Sequence, residues 1–177
     1  MKREYFKNND CKRKPKMTIK KVQDKFNEYI ALRDTHMVAC QCISCHSIVL
    51  YKRGHASHFH SAGNFKSLRF NEDNVHYSCV KCNTFLHGNL LEYRKGLIKK
   101  IGIERVEKLE LLAAASKRSV WKPMEFELQI IYDEYKAKIK ELKQNLKSPV
   151  YLPPLPKSEL KGYSDNNDKG KVYKIEK

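Results

Sequence analysis

The chain has 177 residues, of which 41% are apolar and 32% charged, enough for one modest core with tails. A formal charge of +16 favours a polyanionic partner, because Lys and Arg that neutralise phosphates release condensed counterions. A basic surface kept for solubility is the plain alternative. No run approaches the roughly 20 apolar residues of a membrane span, and Met1–Lys7 lacks a signal's apolar stretch, so no membrane partner is expected.

Residues 1–17 read as a basic N-terminal arm. Through Lys21 the chain places Lys2, Arg3, Lys7, Lys12, Arg13, Lys14, Lys16, Lys20 and Lys21 against only Glu4 and Asp10, a composition that stays unfolded and touches backbone phosphates. Over 18–36, Val22, Phe26, Tyr29, Ile30 and Arg33 recur at helical spacing, which predicts a helix to about Asp34 with Thr18 as its N-cap. The segment 37–118 opens with knuckle and turn signals. Ile48–Tyr51 is a β-prone run, and Ser57–His60 and Asn74–Tyr77 read as two short strands joined across Ala62-Gly63-Asn64.

Beyond Cys82 the pattern turns helical. Leu86, Leu90, Tyr93, Leu97 and Ile101 follow the 3/4 spacing, with Gly88-Asn89 and Gly96 as weak points, and 103–116 predicts a second helix with Val106, Leu109 and Leu112 inward. Over 119–147, Pro123 suits the first turn of a long helix whose stripe is Leu128, Ile131, Tyr135, Ile139, Leu142 and Leu146. Prolines from Pro149 end it, and 148–177 reads as a flexible tail. The fold class is therefore α+β, mainly α.

Four of the six cysteines fall in two C-x-x-C pairs, Cys42/Cys45 and Cys79/Cys82, which in an unexported chain points to metal rather than disulfides. Four thiolates suit tetrahedral zinc, and a closed four-cysteine shell has no open position, so this ion is structural. Cys40 is a rival ligand and His46 can flank the metal without binding it. Catalysis then has to come from a second site. A phosphodiester hydrolase needs a base and a cation, which makes His58 a candidate base, His55 and Asn83 candidate ligands for a hard divalent ion, and Asn74 an orienting amide. A histidine in a basic domain is otherwise an ordinary surface or packing residue.

Gly54-His55-Ala56-Ser57-His58-Phe59, Leu68–His76, Cys79–Asn83 and Gly88–Arg94 together closely resemble the NinG/Rap family of phage recombination endonucleases. The resemblance runs from about Cys42 through the 110s. It implies a small zinc-stapled ββα-metal core, HNH-like or treble-clef-like, flanked by an N-terminal helix and C-terminal helices. It implies that His58 is the general base, Asn74 the middle asparagine of the motif, and Asn83 a ligand of the catalytic ion, Mg²⁺ or Mn²⁺. His55 stands where relatives can have Asp or Asn, and His87, near that site, ranks below Asn83 as a ligand. No acidic ligand is evident beside His58.

The implied partner is branched or recombining DNA, in the cytoplasm of a bacterial host and from a phage genome. Paired incision of a four-way junction calls for a homodimer, and phage recombination proteins are the other implied partners. Lys66, Arg69, Lys81 and Arg94 are candidate phosphate contacts, with Lys95, Lys99 and Lys100 nearby. Arg69 reads either as a clamp on the scissile phosphate or as a salt bridge to Glu72 or Asp73.

Overall fold

A computed structural model describes residues 16–116 and 121–146. The expected tail and nearly all of the basic arm, with Cys11, lie outside those residues. The first helix, α1, spans Ile19–Thr35. Thr18 sits in extended backbone and its hydroxyl accepts from Lys21 N at 3.3 Å, satisfying one of the donors that a helix start leaves open. The helix stops where His36 enters the left-handed region and returns its N–H to Leu32 O.

Two short antiparallel ladders follow. Strands β1 (Ala39–Gln41) and β2 (Ile48–Leu50) pair with Cys40 opposite Val49. Strands β3 (Gly54–His58) and β4 (Val75–Cys79) pair from Gly54 opposite Cys79 to His58 opposite Val75. The second pair is shifted from the sequence expectation. β3 starts three residues earlier than Ser57, and Asn74 belongs to a 3₁₀ turn, Glu72–Asn74, rather than to the strand.

After β4 comes one π-helical turn, Lys81–Phe85, and then α2 (Leu90–Ile101), α3 (Ile103–Ser116) and α4 (Glu125–Asn145). Gly88 and Asn89, both at positive φ, separate the π turn from α2 and reset the helical phase. Leu86 and Leu90 consequently face solvent, and α2 turns Tyr93, Gly96 and Leu97 inward. Gly96 is required rather than tolerated, since a β-carbon there would collide with the Ile43 carbonyl. In α3 the inward set is Val106, Leu109 and Ala113, so the expected Leu112 lies outside, one residue off the 3/7 repeat. Pro123 precedes α4 instead of sitting in its first turn, and Glu127 accepts from Met124 N at 2.7 Å to close that end.

One core joins α1 to α4 and β4: Phe26, Tyr29, Ile30, Leu32, Val75, Tyr135 and Ile139, with Phe26 and Tyr135 edge to face at 4.8 Å. A second packs α2 on α3 and the first knuckle through Ile43, Tyr93, Leu97, Val106 and Leu109. A third, smaller one surrounds the cysteines with Val49 and Tyr77. Among the described residues no helix is long and apolar enough to cross a membrane.

Candidate functional site

The two knuckles converge. Cys42 and Cys45 lie in the turn after β1, Cys79 ends β4, and Cys82 sits in the π turn; their four Sγ atoms all lie within 4.8 Å of one another. Each sulfur has a donor beside it. Cys79 N reaches Cys42 Sγ at 3.3 Å, Cys82 N reaches Cys79 Sγ at 3.4 Å, Asn89 Nδ2 reaches Cys82 Sγ at 3.7 Å, and the Ser47 hydroxyl lies 3.0 Å from Cys45 Sγ. Donors aimed at sulfur favour thiolates, and four thiolates this close repel unless a cation lies among them. The cluster can therefore hold a metal ion such as zinc. Cys40, on β1, is outside it; burial, with the nearby Asp34 carboxylate, pushes its thiol up to about 12. His46 is exposed at positive φ and is not part of the group.

His58 closes β3, and its Nε2 lies 3.0 Å from the Arg69 carbonyl. A carbonyl only accepts, so this bond places the ring proton on Nε2 and the lone pair on Nδ1. Burial lowers its pKa from the ordinary histidine value, against the opposing effect of that bond, so the neutral ring prevails at pH 7. Asn74 is fully buried and fixes the loop that supplies the carbonyl. Its Oδ1 accepts from His60 N at 2.8 Å, and its Nδ2 donates to His60 O at 2.9 Å and Leu68 O at 3.1 Å. Asn74 thus acts on His58 through the loop, by way of Arg69.

His55 and Asn83 are brought together, with His55 Nδ1 2.9 Å from Asn83 Nδ2. The residue that motif spacing does not single out is Ser57. Its buried hydroxyl donates to Asn83 Oδ1 at 2.7 Å. Strand parity was the available signal, because residues two apart on β3 share a face and both meet the π turn. As placed, Asn83 offers Nδ2 to His55, and an amide N–H cannot ligate a cation. Turning the amide exchanges its two ends, and the Ser57 hydroxyl can then accept where it had donated. The pair can thus offer a cation one imidazole nitrogen and one amide oxygen. Such a neutral set needs phosphate and water oxygens to complete a shell. Among the described residues, the four cysteines are the only group of three or more His, Cys, Asp or Glu side chains placed to share an ion.

An open groove of about 520 Å³ runs past this pair, lined by His55, Asn83, Lys52 and Tyr77 on one side and by Asp24, Asn27 and Glu28 of α1 on the other. Lysines hold those carboxylates: Lys20 on Asp24, and Lys25 and Lys143 on Glu28. His87 is exposed at positive φ in the turn before α2, apart from the His55–Asn83 hydrogen bond.

The candidate phosphate contacts divide. Lys66, Lys81 and Lys99 are exposed, whereas Arg94 binds Glu110 at 2.6 Å, Lys95 binds Glu92 at 2.7 Å and Lys100 binds the buried Asp34 at 2.9 Å. Arg69 makes neither expected salt bridge. It donates to Gln23 Oε1 and Ala62 O, while Glu72 is held by Tyr29 and Lys138, and Asp73 by Arg105.

Beneath the site, the fully buried Tyr93 hydroxyl donates to Ser57 O at 2.6 Å and accepts from His76 N at 3.0 Å, joining β3 to β4. Asp34 holds the other side of β4, accepting from Tyr77 N at 2.8 Å and from Arg33 Nε at 2.8 Å.

Comparison with known proteins gives a consistent result. Residues 1–145 match the family described as Bacteriophage Lambda NinG protein. Protein ninG of Salmonella phage P22 and protein ninG of Escherichia phage lambda are each 35% identical to this chain over 127 residues, covering 72% of it and 58% of the relative. Protein ninG of Escherichia phage 933W is 34% identical over 127 residues and is covered to 59%. The chain thus spans under two thirds of the length of the curated relatives it matches. No solved structure matches it.

Proposed function

The chain belongs to the NinG family of bacteriophage proteins, and from that premise we propose that it is a metal-dependent DNA endonuclease of HNH type, acting on branched recombination intermediates. The observation that carries the reading is the bond from His58 Nε2 to Arg69 O, which leaves Nδ1 as a free base on a neutral ring. In the proposed step, His58 Nδ1 takes a proton from water as its oxygen attacks phosphorus, and the P–O3′ bond breaks. By strand parity His58 faces away from His55 and Ser57, so a divalent ion at His55 and Asn83 would have to meet the phosphate at the strand's end, where it would supply charge stabilisation for the departing 3′ oxygen. Asn74 keeps the loop, and with it the Arg69 carbonyl, in place. Zinc at the four cysteines would brace β4 and the π turn, so that Asn83 stays opposite His55.

The test is nicking of a labelled four-way junction and a linear duplex under Mg²⁺ and Mn²⁺ titration. Wild type should cut the junction, and His58→Ala should cut it at least about 10²-fold more slowly, the usual worth of a positioned base. Equal rates for the two proteins would remove the proposal. A second reading is a zinc-dependent DNA-binding module without catalysis, favoured by the lysine-held carboxylates and the all-neutral pair at His55 and Asn83. Tight binding with no nicking at any metal concentration would select it.

A further inference from the structure

The segment from Phe85 to Leu91 displays its large apolar side chains to solvent: Phe85 is 73% exposed, Leu86 46%, Leu90 50% and Leu91 80%. Chains usually bury such residues, and an exposed cluster of this size marks a binding surface. It is not a loose loop. Leu86 N bonds Lys81 O, Gly88 N bonds Cys82 O, Asn89 N bonds Leu86 O, and the Asn89 side chain reaches Cys82 Sγ. The backbone of the turn is thus tied to the cysteine cluster and carries the exposed Phe85 on a fixed support, which reduces the ordering cost on binding.

The charge around the patch indicates what covers it. Between Cys79 and Gly102 the exposed Lys81 and Lys99 stand beside Lys95, which holds Glu92 at 2.7 Å, while Arg94 is taken by Glu110 and Lys100 by Asp34. Leu91, Lys95 and Lys99 recur every four residues and so share one face of α2. Apolar side chains framed by lysines suit a partner that combines flat apolar faces with phosphates. A second copy of a chain carrying +16 would bring like charge to the same surface. Duplex DNA meets the lysines but keeps its bases stacked, whereas unpaired bases at a branch or in a single strand expose their faces.

We infer that Phe85, supported by Leu86, Leu90 and Leu91, is a stacking platform for unpaired DNA bases, which makes branched or single-stranded DNA the ligand this chain selects. The inference rests on the DNA-directed reading above but not on incision. Aromatic platforms of this kind bind bases of any sequence, and wedges of this kind hold unstacked steps open.

The experiment measures binding of the zinc-loaded full chain, with no Mg²⁺ or Mn²⁺ added, to a four-way junction, a single strand and a duplex of equal length. Phe85→Ala should weaken junction and single-strand binding by about tenfold while leaving duplex binding within about twofold, and Phe85→Trp should restore the wild-type preference. A 2-aminopurine at the branch point should change fluorescence with wild type and not with Phe85→Ala. Equal loss on all three DNAs, or no loss on any, overturns the platform. So does a shift from dimer to monomer in sedimentation with DNA binding unaltered, which assigns the patch to a second copy. A chain that discriminates in this way yet never nicks DNA keeps the inference and loses the nuclease.

Discussion

The four-cysteine cluster and the His55–Asn83 pair adjoin on one short stretch of ladder and π turn, with Cys79 opposite Gly54 and Cys82 just before Asn83, yet they are built on different terms. The cluster draws charged ligands from two knuckles, gives each sulfur a donor, and includes two cysteines with no solvent exposure. The pair offers an imidazole and an amide, the imidazole exposed, and a hydroxyl that fits either orientation of the amide. A site that must hold its ion in order to fold needs a closed shell. A site that must admit a phosphate needs ligands left over for it.

The sharpest way to break that comparison is to open the closed site. Cys82→Ala removes a buried thiolate ligand, and structural zinc supplies on the order of 10–16 kcal/mol of folding free energy in small domains. The expected outcome is loss of zinc and loss of cooperative unfolding in the ladder region, read by zinc stoichiometry and a thermal melt followed by circular dichroism. A Cys82→Ala protein that melts like wild type would show that the three small cores suffice without metal.

The support behind β4 should rank next. Asp34 is buried, and burial alone would raise its carboxyl; the hydrogen bond from Arg33, with the charges of Arg33 and Lys100, holds it well below the usual range instead. A depressed carboxyl stabilises the folded chain at neutral pH, and that stabilisation is lost as pH falls below about 3.9, the unfolded value, toward the folded one. His76 and His58 are also depressed, in both cases by burial first, so the unfolded chain binds their protons more readily. Acidification from about 6.5 downward therefore costs stability before Asp34 contributes. Asp34→Asn, which leaves Arg33 and Lys100 without their carboxylate, should cost about 3 kcal/mol at pH 7 and flatten the acid limb below about pH 4. Urea unfolding across that range measures both, and an unchanged acid limb would assign it to Glu28 and Glu72, whose carboxyls are also lowered.

How much of the molecule is legible in its sequence depends on the range of each signal. The four cysteines, the Thr18 cap and the α1 stripe are local patterns, and each appears where the spacing places it. The α2 stripe starts late because Gly88 and Asn89, both at positive φ, rotate the helix after them, and periodicity counted across a break carries the wrong phase. Leu86 and Leu90 fit a core stripe by spacing alone, yet they form the exposed surface beside the knuckle. Arg69 is not legible at all. Its partner Gln23 is 46 residues away on α1, whereas the salt bridges that the sequence offers, to Glu72 or Asp73, involve only near neighbours. Ser57 is hidden by its ordinariness, since one hydroxyl beside a histidine carries no pattern until the π turn brings Asn83 to it.

The smallest effect on stability, and the finest test of the open site, belongs to Asn83→Ala. Asn83 is partly exposed and makes two side-chain bonds, one of them to the buried Ser57, so its loss should cost about 2 kcal/mol, between the worth of one and of two ordinary hydrogen bonds. Cysteine-bound zinc should be unaffected, because Asn83 contributes nothing to the cluster. Mn²⁺ binding, followed by electron paramagnetic resonance with DNA present and absent, should weaken by about tenfold or more, as a removed ligand commonly costs. Asn83→Asp should reverse the sign. A carboxylate supplies the charge that the neutral pair lacks, can still accept from Ser57 with one oxygen, and presents the other to the ion without any turn of the side chain. Tighter Mn²⁺ binding by Asn83→Asp with unaltered zinc content would set the two centres apart. Equal Mn²⁺ binding by wild type, Asn83→Ala and Asn83→Asp would mean that the pair holds no ion.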